Sequence, residues 1–342
     1  MLTVFACSIA FLTTYLSMPF LRRLAWRVHL LDLPGGRKMH KSPTPLMGGV
    51  AIYLGLCVAA FLNRANFSEI LPILVGSTLI FILGLVNDVR ELKAQSRFLA
   101  QVCIAILVIS MGLKVSFLGS GAWNNAVEVL ITIIWLVGVT NAYNYLDGLD
   151  GLAAGSAVIN LLCFAVILNS TAQYPLKLLT LTFASAIFAF LPYNLGKRKI
   201  FLGESGSTLI GFVLACISLA GYWANDSIVK LSIPVLIIGV PIFDMIFTTV
   251  MRISEGKVNG LVQWLQYGGR DHFHHRLVDL GFKPWGAVLF IYAVTCSLGI
   301  SAIITSDNRP FEALMSIAQA AMIFIVIAAL IVVGKRKSSG WD

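Results

Sequence analysis

Eleven stretches of this chain are apolar enough to lie in hydrocarbon, and they leave little sequence for anything else. They fall near residues 2–21, 46–63, 70–86, 98–113, 126–142, 152–169, 176–192, 206–223, 231–250, 285–305 and 312–333. A bilayer core about 30 Å thick is crossed by a helix of roughly 20 apolar residues, which pairs its own backbone amides where no water can. The expected fold is therefore an all-α integral membrane protein of about eleven transmembrane helices, forming one polytopic domain over residues 1–342. Composition agrees: 58% of residues are hydrophobic and 12% are charged, far from the roughly one-quarter charged content of soluble domains. The first window has no small-residue cleavage site and runs into a basic loop, so it is read as a retained span.

Charge sets the orientation. Twenty of the 25 Lys and Arg residues fall on one set of alternate loops, 22–45, 87–97, 193–204, 251–284 and the tail 334–342. The other side holds only Arg64, Lys114, Lys177, Lys230 and Arg309. Positive loops stay in the cytoplasm, which places the amino terminus outside and the carboxyl terminus inside. The net charge of +9 on that face favours anionic head groups and phosphates. The six cysteines sit singly in apolar windows, so no disulfide framework is expected.

With this topology every histidine (His29, His40, His272, His274, His275) is cytoplasmic, as are Asp88, Asp147, Asp150, Glu204 and Asp271. The segment NAYNYLDGLDGLAAG, residues 141–155, closes the fifth window with two amides and two acids. Asn141, Asn144, Asp147 and Asp150 recur every third residue and would fan around half of a helix, since three residues advance it by about 300°. Gly148 and Gly151 would let the backbone bend before the sixth span. Carboxylates at a lipid boundary are costly without a partner or a wet cavity, so the cluster points to a cation or polar ligand. The plainer alternative is an N-cap cluster, with Asp150 capping the next helix.

Other candidates share this face. GLVNDVRELKAQSRFLAQ (84–101) puts Asp88 at the end of the third span. RKIFLGESGSTLIG (198–211) sets Glu204 between two glycines, where Ser205 and Ser207 suit a helix start or an anion. Asp244 lies inside the ninth window, where an ionisable residue points into the bundle. GGRDHFHHRLVDLGFKP (268–284) gathers three histidines beside Arg270, and three readings are open: zinc ligands, a phosphate cluster or an interfacial patch. No cytoplasmic cysteine supports zinc, and Arg with His suits phosphate.

Taken in order, PTPLMGGVAI (43–52), NDVRELKAQSRF (87–98), NAYNYLDGLDGLAAG, FLGESGSTLIG, PIFD (241–244) and RDHFHHRL (270–277) resemble the polyprenyl-phosphate N-acetylhexosamine-1-phosphate transferases. The resemblance covers residues 34 to 282 or thereabouts. It implies that a polyprenyl phosphate such as undecaprenyl phosphate attacks a UDP-N-acetylhexosamine. UMP is released and a lipid-linked cell-surface glycan begins, with Mg²⁺ as cofactor, on the cytoplasmic face of a bacterial inner membrane. By position, Asp88, Asn87, Asp147 and Asp150 take the catalytic places and Glu204 with Asp88 the metal. Asn141, Asn144, Asp244, Arg270, His272, His274 and His275 take the substrate-binding places. The partners implied are the UDP-sugar, the lipid phosphate and the membrane; a homodimer is among the expected assemblies, and nucleic acid is not.

Two positions depart from the family pattern, which has aspartate where this chain has Asn87 and again where it has Glu204. Asparagine can offer a metal its oxygen but cannot act as a base. The form of the histidine motif favours UDP-GlcNAc. The alternatives are a phospho-MurNAc-pentapeptide transferase, or a catalytically weak homologue that binds nucleotide sugar or lipid phosphate in a glycan assembly complex. A transporter would show inverted repeats and interrupted helices, and the sequence displays neither clearly.

Overall fold

The structure, a computed structural model, describes residues 1–34, 42–195, 199–306 and 309–338. His40, Lys197 and Arg198 lie outside the described residues. The chain divides into two compact units, Met1–Tyr222 and Trp223–Asp342.

Helices account for nearly all of the first unit. They are α1 (Leu2–Arg27), α2 (Gly48–Leu62), α3 (Phe67–Val89), α4 (Ala94–Ser110), α5 (Ala122–Leu146), α6 (Leu152–Ser170), α7 (Tyr174–Leu195) and α8 (Gly203–Ala220). A two-residue antiparallel ladder joins β1 (Leu31–Asp32) to β2 (Thr44–Pro45). Helix α8 is central: it packs against α2, α3, α5 and α6, and every residue from Ser205 to Ser218 is buried. Small residues permit this. A Cβ on Gly211 would come within 2.9 Å of the Thr140 Cα on α5, so the two backbones nearly touch. Glu128, buried on α5, is satisfied by the backbone N–H groups of Phe117 and Leu118 at 2.7 and 2.9 Å and by Lys114 at 3.2 Å. An acid in an apolar helix thus ties down the preceding loop.

The second unit contains α9 (Ser227–Ile237), α10 (Gly239–Ser254), α11 (Leu261–Gln266), α12 (Phe273–Asp279), α13 (Pro284–Thr305) and α14 (Pro310–Ser338). Asp226 caps α9, accepting the N–H groups of Ile228 and Val229 at 2.8 and 3.1 Å.

Each of the eleven windows corresponds to a helix or helix pair, but they are not equivalent. Among the described residues eight helices are long and apolar enough to cross a membrane, or nine if α9 and α10 are one bent span. Helices α2 and α4 have 15 and 17 residues, so at about 1.5 Å per residue they reach only some 22–26 Å. The ninth window is broken rather than continuous, with a 77° bend between α9 and α10. Pro241 favours the break, since it has no N–H to offer the Ile237 carbonyl and sits in the first turn of the new helix. All six cysteines are free thiols.

Candidate active site

In the first unit the site is built where the end of α3 meets the start of α8. Asp88, the penultimate residue of α3, accepts the backbone N–H of Glu204 on Oδ1 at 2.7 Å and that of Ser205 on Oδ2 at 3.0 Å. These first-turn N–H groups have no acceptor within α8 and carry the positive end of its dipole, so a carboxylate suits them. Gly203 makes the approach feasible. Its φ is +73°, and a Cβ there would stand 2.7 Å from Asp88 Oδ2.

The PTPLMGGVAI motif grips the same loop from behind. The Phe201 N–H donates to the Pro45 carbonyl at 2.8 Å, while Gly48 and Gly49 donate to the carbonyls of Phe201 and Leu202, each at 2.9 Å. Side chains at Gly49 would overlap the Gly206 backbone. The motif is a clamp that orients the start of α8.

Asn87 and Glu204, the two departures from the family pattern, touch each other. Asn87 Nδ2 donates to Glu204 Oε2 at 2.7 Å, and Asn87 Oδ1 accepts the Leu92 N–H at 2.9 Å. Arg97 forms an ion pair with the same Glu204 oxygen. Glu204 Oε1 accepts no hydrogen bond from the described residues.

The four regularly spaced residues of the acidic segment separate into two kinds. Helix α5 ends at Leu146, so Asn141 and Asn144 lie on it while Asp147 and Asp150 follow in a turn. The amides are engaged: Asn141 Nδ2 donates to Gln101 Oε1 at 2.6 Å, and Asn144 Oδ1 accepts from Ser207 Oγ at 2.7 Å. Asp150 does not cap α6, whose cap position is Gly151 (φ 77°); it pairs instead with Lys199. Asn194 stitches the turn to the next loop, accepting the Gly151 N–H at 2.6 Å and donating to the Ile200 carbonyl at 3.2 Å.

The Asp147 carboxylate has no hydrogen bond or ion pair among the described residues; only its backbone N–H is engaged, donating to the Asn144 carbonyl at 3.4 Å. Water reaches it, yet protein crowds it on most sides. Its carboxyl is pushed up to about 7, first by lost hydration and then by the charges of Asp150 and Asp88. Four carboxylates (Asp88, Asp147, Asp150, Glu204) are met here by two close protein cations, Arg97 and Lys199. No three His, Cys, Asp or Glu side chains among the described residues form a ready-made metal cage. The donors are nevertheless all hard carboxylate oxygens with negative charge left over, and that fits a Mg²⁺ ion which keeps several ligands from water or substrate.

The second unit treats its polar residues differently. Asp244, 1% exposed, accepts the Phe273 N–H at 2.6 Å, the Thr248 hydroxyl at 3.1 Å and lies 3.2 Å from His272 Nδ1. Arg252, 2% exposed, donates twice to Asp271, at 2.9 and 2.7 Å, and lies over the Tyr267 ring. Burial alone would raise the Asp271 carboxyl, but Arg252 outweighs it and holds it below its usual range. Arg276 Nε donates to the Asp271 carbonyl at 2.6 Å. Asp244 and His272 therefore brace the histidine motif.

His274 is fully buried and neither ring nitrogen has a hydrogen-bond partner among the described residues. Burial, then the neighbouring His275, lowers its pKa to about 3, so the ring is neutral at physiological pH. Arg270 lines a cleft of about 350 Å³ with Lys257, Asp271, Arg276 and Asp279.

Sequence reasoning missed Arg97, Lys199, Asn194 and Arg252 as parts of this machinery. Asn194 carried only a weak signal, an amide two residues past the end of the 176–192 window. Arg252 carried one too, since eight residues after Asp244 it returns to nearly the same helix face.

These features define a class. The family model for glycosyl transferase family 4 matches residues 70–222, and the chain belongs to this family, the polyprenyl-phosphate N-acetylhexosamine-1-phosphate transferases. Among its relatives is a protein of Bacillus subtilis (strain 168) named probable undecaprenyl-phosphate N-acetylglucosaminyl 1-phosphate transferase. It is 35% identical over 308 residues, covering 88% of this chain and 84% of the relative. The decaprenyl-phosphate N-acetylglucosaminephosphotransferase of Mycobacterium tuberculosis (strain ATCC 25618 / H37Rv) is 31% identical, covering 97% of this chain and 89% of its own. The undecaprenyl-phosphate alpha-N-acetylglucosaminyl 1-phosphate transferase of Escherichia coli (strain K12) is 29% identical, covering 85% and 82%.

Proposed function

We propose that this protein transfers N-acetylglucosamine 1-phosphate from UDP-GlcNAc to a polyprenyl phosphate, releasing UMP, on the cytoplasmic face of a bacterial inner membrane. In this reading all eleven apolar segments lie in the bilayer, with the amino terminus outside and the carboxyl terminus inside. The observation that carries it is the Asp147 carboxylate, without a partner among the described residues and flanked by Asp88 and Asp150, in a chain whose relatives bear the names of sugar-phosphate transferases.

The residues divide the work. Asp147, Asp88 and the open oxygen of Glu204 would hold Mg²⁺, while Arg97 and Asn87 fix the other Glu204 oxygen, as hydrogen bonds behind a metal ligand do. Bound Mg²⁺ would neutralise the diphosphate and ease departure of UMP. Asp88, pinned by two backbone N–H groups, suits positioning of the incoming lipid phosphate more than proton transfer. A phosphate nucleophile needs little deprotonation near neutral pH, so alignment and charge carry the reaction. Asp147, whose carboxyl burial pushes up, would hold a cation in its deprotonated form. In the second unit, Arg270 and the neutral His274 supply donors suited to phosphate oxygens and a sugar hydroxyl.

The test is direct. Purified protein given radiolabelled UDP-GlcNAc, undecaprenyl phosphate and Mg²⁺ is expected to release UMP and form a lipid-linked sugar diphosphate. Nucleotide-sugar binding without UMP release, across the UDP-N-acetylhexosamines, would instead identify a silent homologue.

A further inference from the structure

Building on the transferase reading, we propose that Arg97 is an internal counter-ion for Glu204, matched by Asn87, which weakens the site's grip on a free divalent cation. Three contacts carry the inference. Arg97 and Asn87 Nδ2 both converge on Glu204 Oε2, leaving Oε1 without a donor among the described residues. The Leu92 N–H fixes the Asn87 amide by occupying its oxygen, so its NH₂ group faces the carboxylate. The ion pair is sheltered, with Arg97 27% and Glu204 16% exposed, so solvent screens it less than a surface pair.

These contacts explain why the two departures occur together. An aspartate at 87 would keep the Leu92 bond but turn an acceptor toward Glu204, placing like charges together. Asparagine removes that repulsion and adds a donor. The longer glutamate side chain meets Arg97 with one oxygen while the other stays open. A cation at Oε1 then faces a guanidinium charge across the same carboxylate. Arg97 thus acts as a positioning residue, and the site takes a cation firmly only when the diphosphate brings its own charge.

The experiment titrates Mn²⁺ into the purified full-length chain without substrates, following the free ion by electron paramagnetic resonance. Removing the positive charge with Arg97→Gln is expected to tighten Mn²⁺ binding by about tenfold, and Arg97→Lys to stay within roughly threefold of the unaltered protein. Asn87→Asp adds negative charge without altering Arg97 and is expected to tighten binding by about as much as Arg97→Gln. This second arm decides the matter even if Arg97→Gln is not recovered as monodisperse protein. Unchanged or weaker affinity in either charge variant, or no saturable Mn²⁺ binding at all, overturns the proposal. UMP release is measured separately: affinities that shift as stated with no turnover sink the transferase reading alone, whereas turnover with unresponsive affinities sinks this inference alone.

Discussion

Asp147 and Glu204 of the first unit face the opposite situation to Asp244 and Asp271 of the second. In the second unit, Asp244 and Asp271 are surrounded by donors: a backbone N–H, a hydroxyl, an imidazole and a bidentate arginine. In the first, Asp147 has no donor among the described residues, and Glu204 has one oxygen held and one open. The fully satisfied acids organise structure, because removing a partner leaves a buried charge uncompensated. The unsatisfied ones are prepared for something that is not protein. All four are acids; what separates Asp147 and Glu204 from Asp244 and Asp271 is who answers them, while Asp88, held by two backbone N–H groups beside them, stands between the two kinds.

The largest effect that tests this contrast is on turnover. Asp88→Asn and Glu204→Gln are each expected to lower UMP release at least about a thousandfold while the protein stays monodisperse on gel filtration. Asp88→Asn would set an amide N–H against a backbone N–H at the start of α8. Wild-type-like rates in either variant would remove that carboxylate from the reaction and blur the distinction.

Next in size is a stability loss confined to the second unit. Arg252→Ala strips Asp271 of its two charged donors in a buried setting and is expected to cost about 3–5 kcal/mol. Thermal unfolding in detergent would register it as a lowered midpoint. A midpoint unchanged by this variant would mean that Asp271 is no better satisfied than Asp147.

A smaller effect of opposite sign concerns His274. Two buried ring nitrogens with no hydrogen-bond partner among the described residues make this position a local cost, so His274→Phe is expected to stabilise the unit by about 1 kcal/mol. Turnover should fall in the same variant, because the ring's unspent donor and acceptor are lost. A stabilised protein with full activity would reassign His274 to the core.

Much of this was readable in the sequence, and what was not has a physical cause. Each apolar window located a helix or helix pair, because hydrocarbon demands runs of a fixed length, whereas the short α11 and α12 lie outside every window. They did not reveal the break at Ile238, since Pro241 sits where a first helical turn tolerates it and composition stays apolar across the bend. Motif order singled out Asp88 and Glu204, but not that Asn87 and Glu204 are bonded across 117 positions. Three-residue spacing suggested one fan of four polar groups; the helix stopped at Leu146 and divided them. Arg97 and Lys199 looked like ordinary positive-inside residues, because charge counting cannot tell a solvated lysine from one paired with an acid.

The smallest predicted effect bears on the acid that has no partner. Asp147 titrates near 7 in the folded protein against 3.8 for a free side chain, so between those values the native state holds more protons than the unfolded one. Stability from this group is therefore complete below about pH 4 and is lost as pH rises through 7. In EDTA the unfolding midpoint should fall between pH 5 and pH 8, and Asp147→Asn should flatten that fall. The shift is modest because water reaches the side chain. Mg²⁺ should reverse the trend by binding the deprotonated form, so the cation's stabilising effect should grow with pH. Were the midpoint indifferent to pH and to Mg²⁺ alike, Asp147 would be an ordinary solvated acid, and the contrast between the two units would reduce to burial alone.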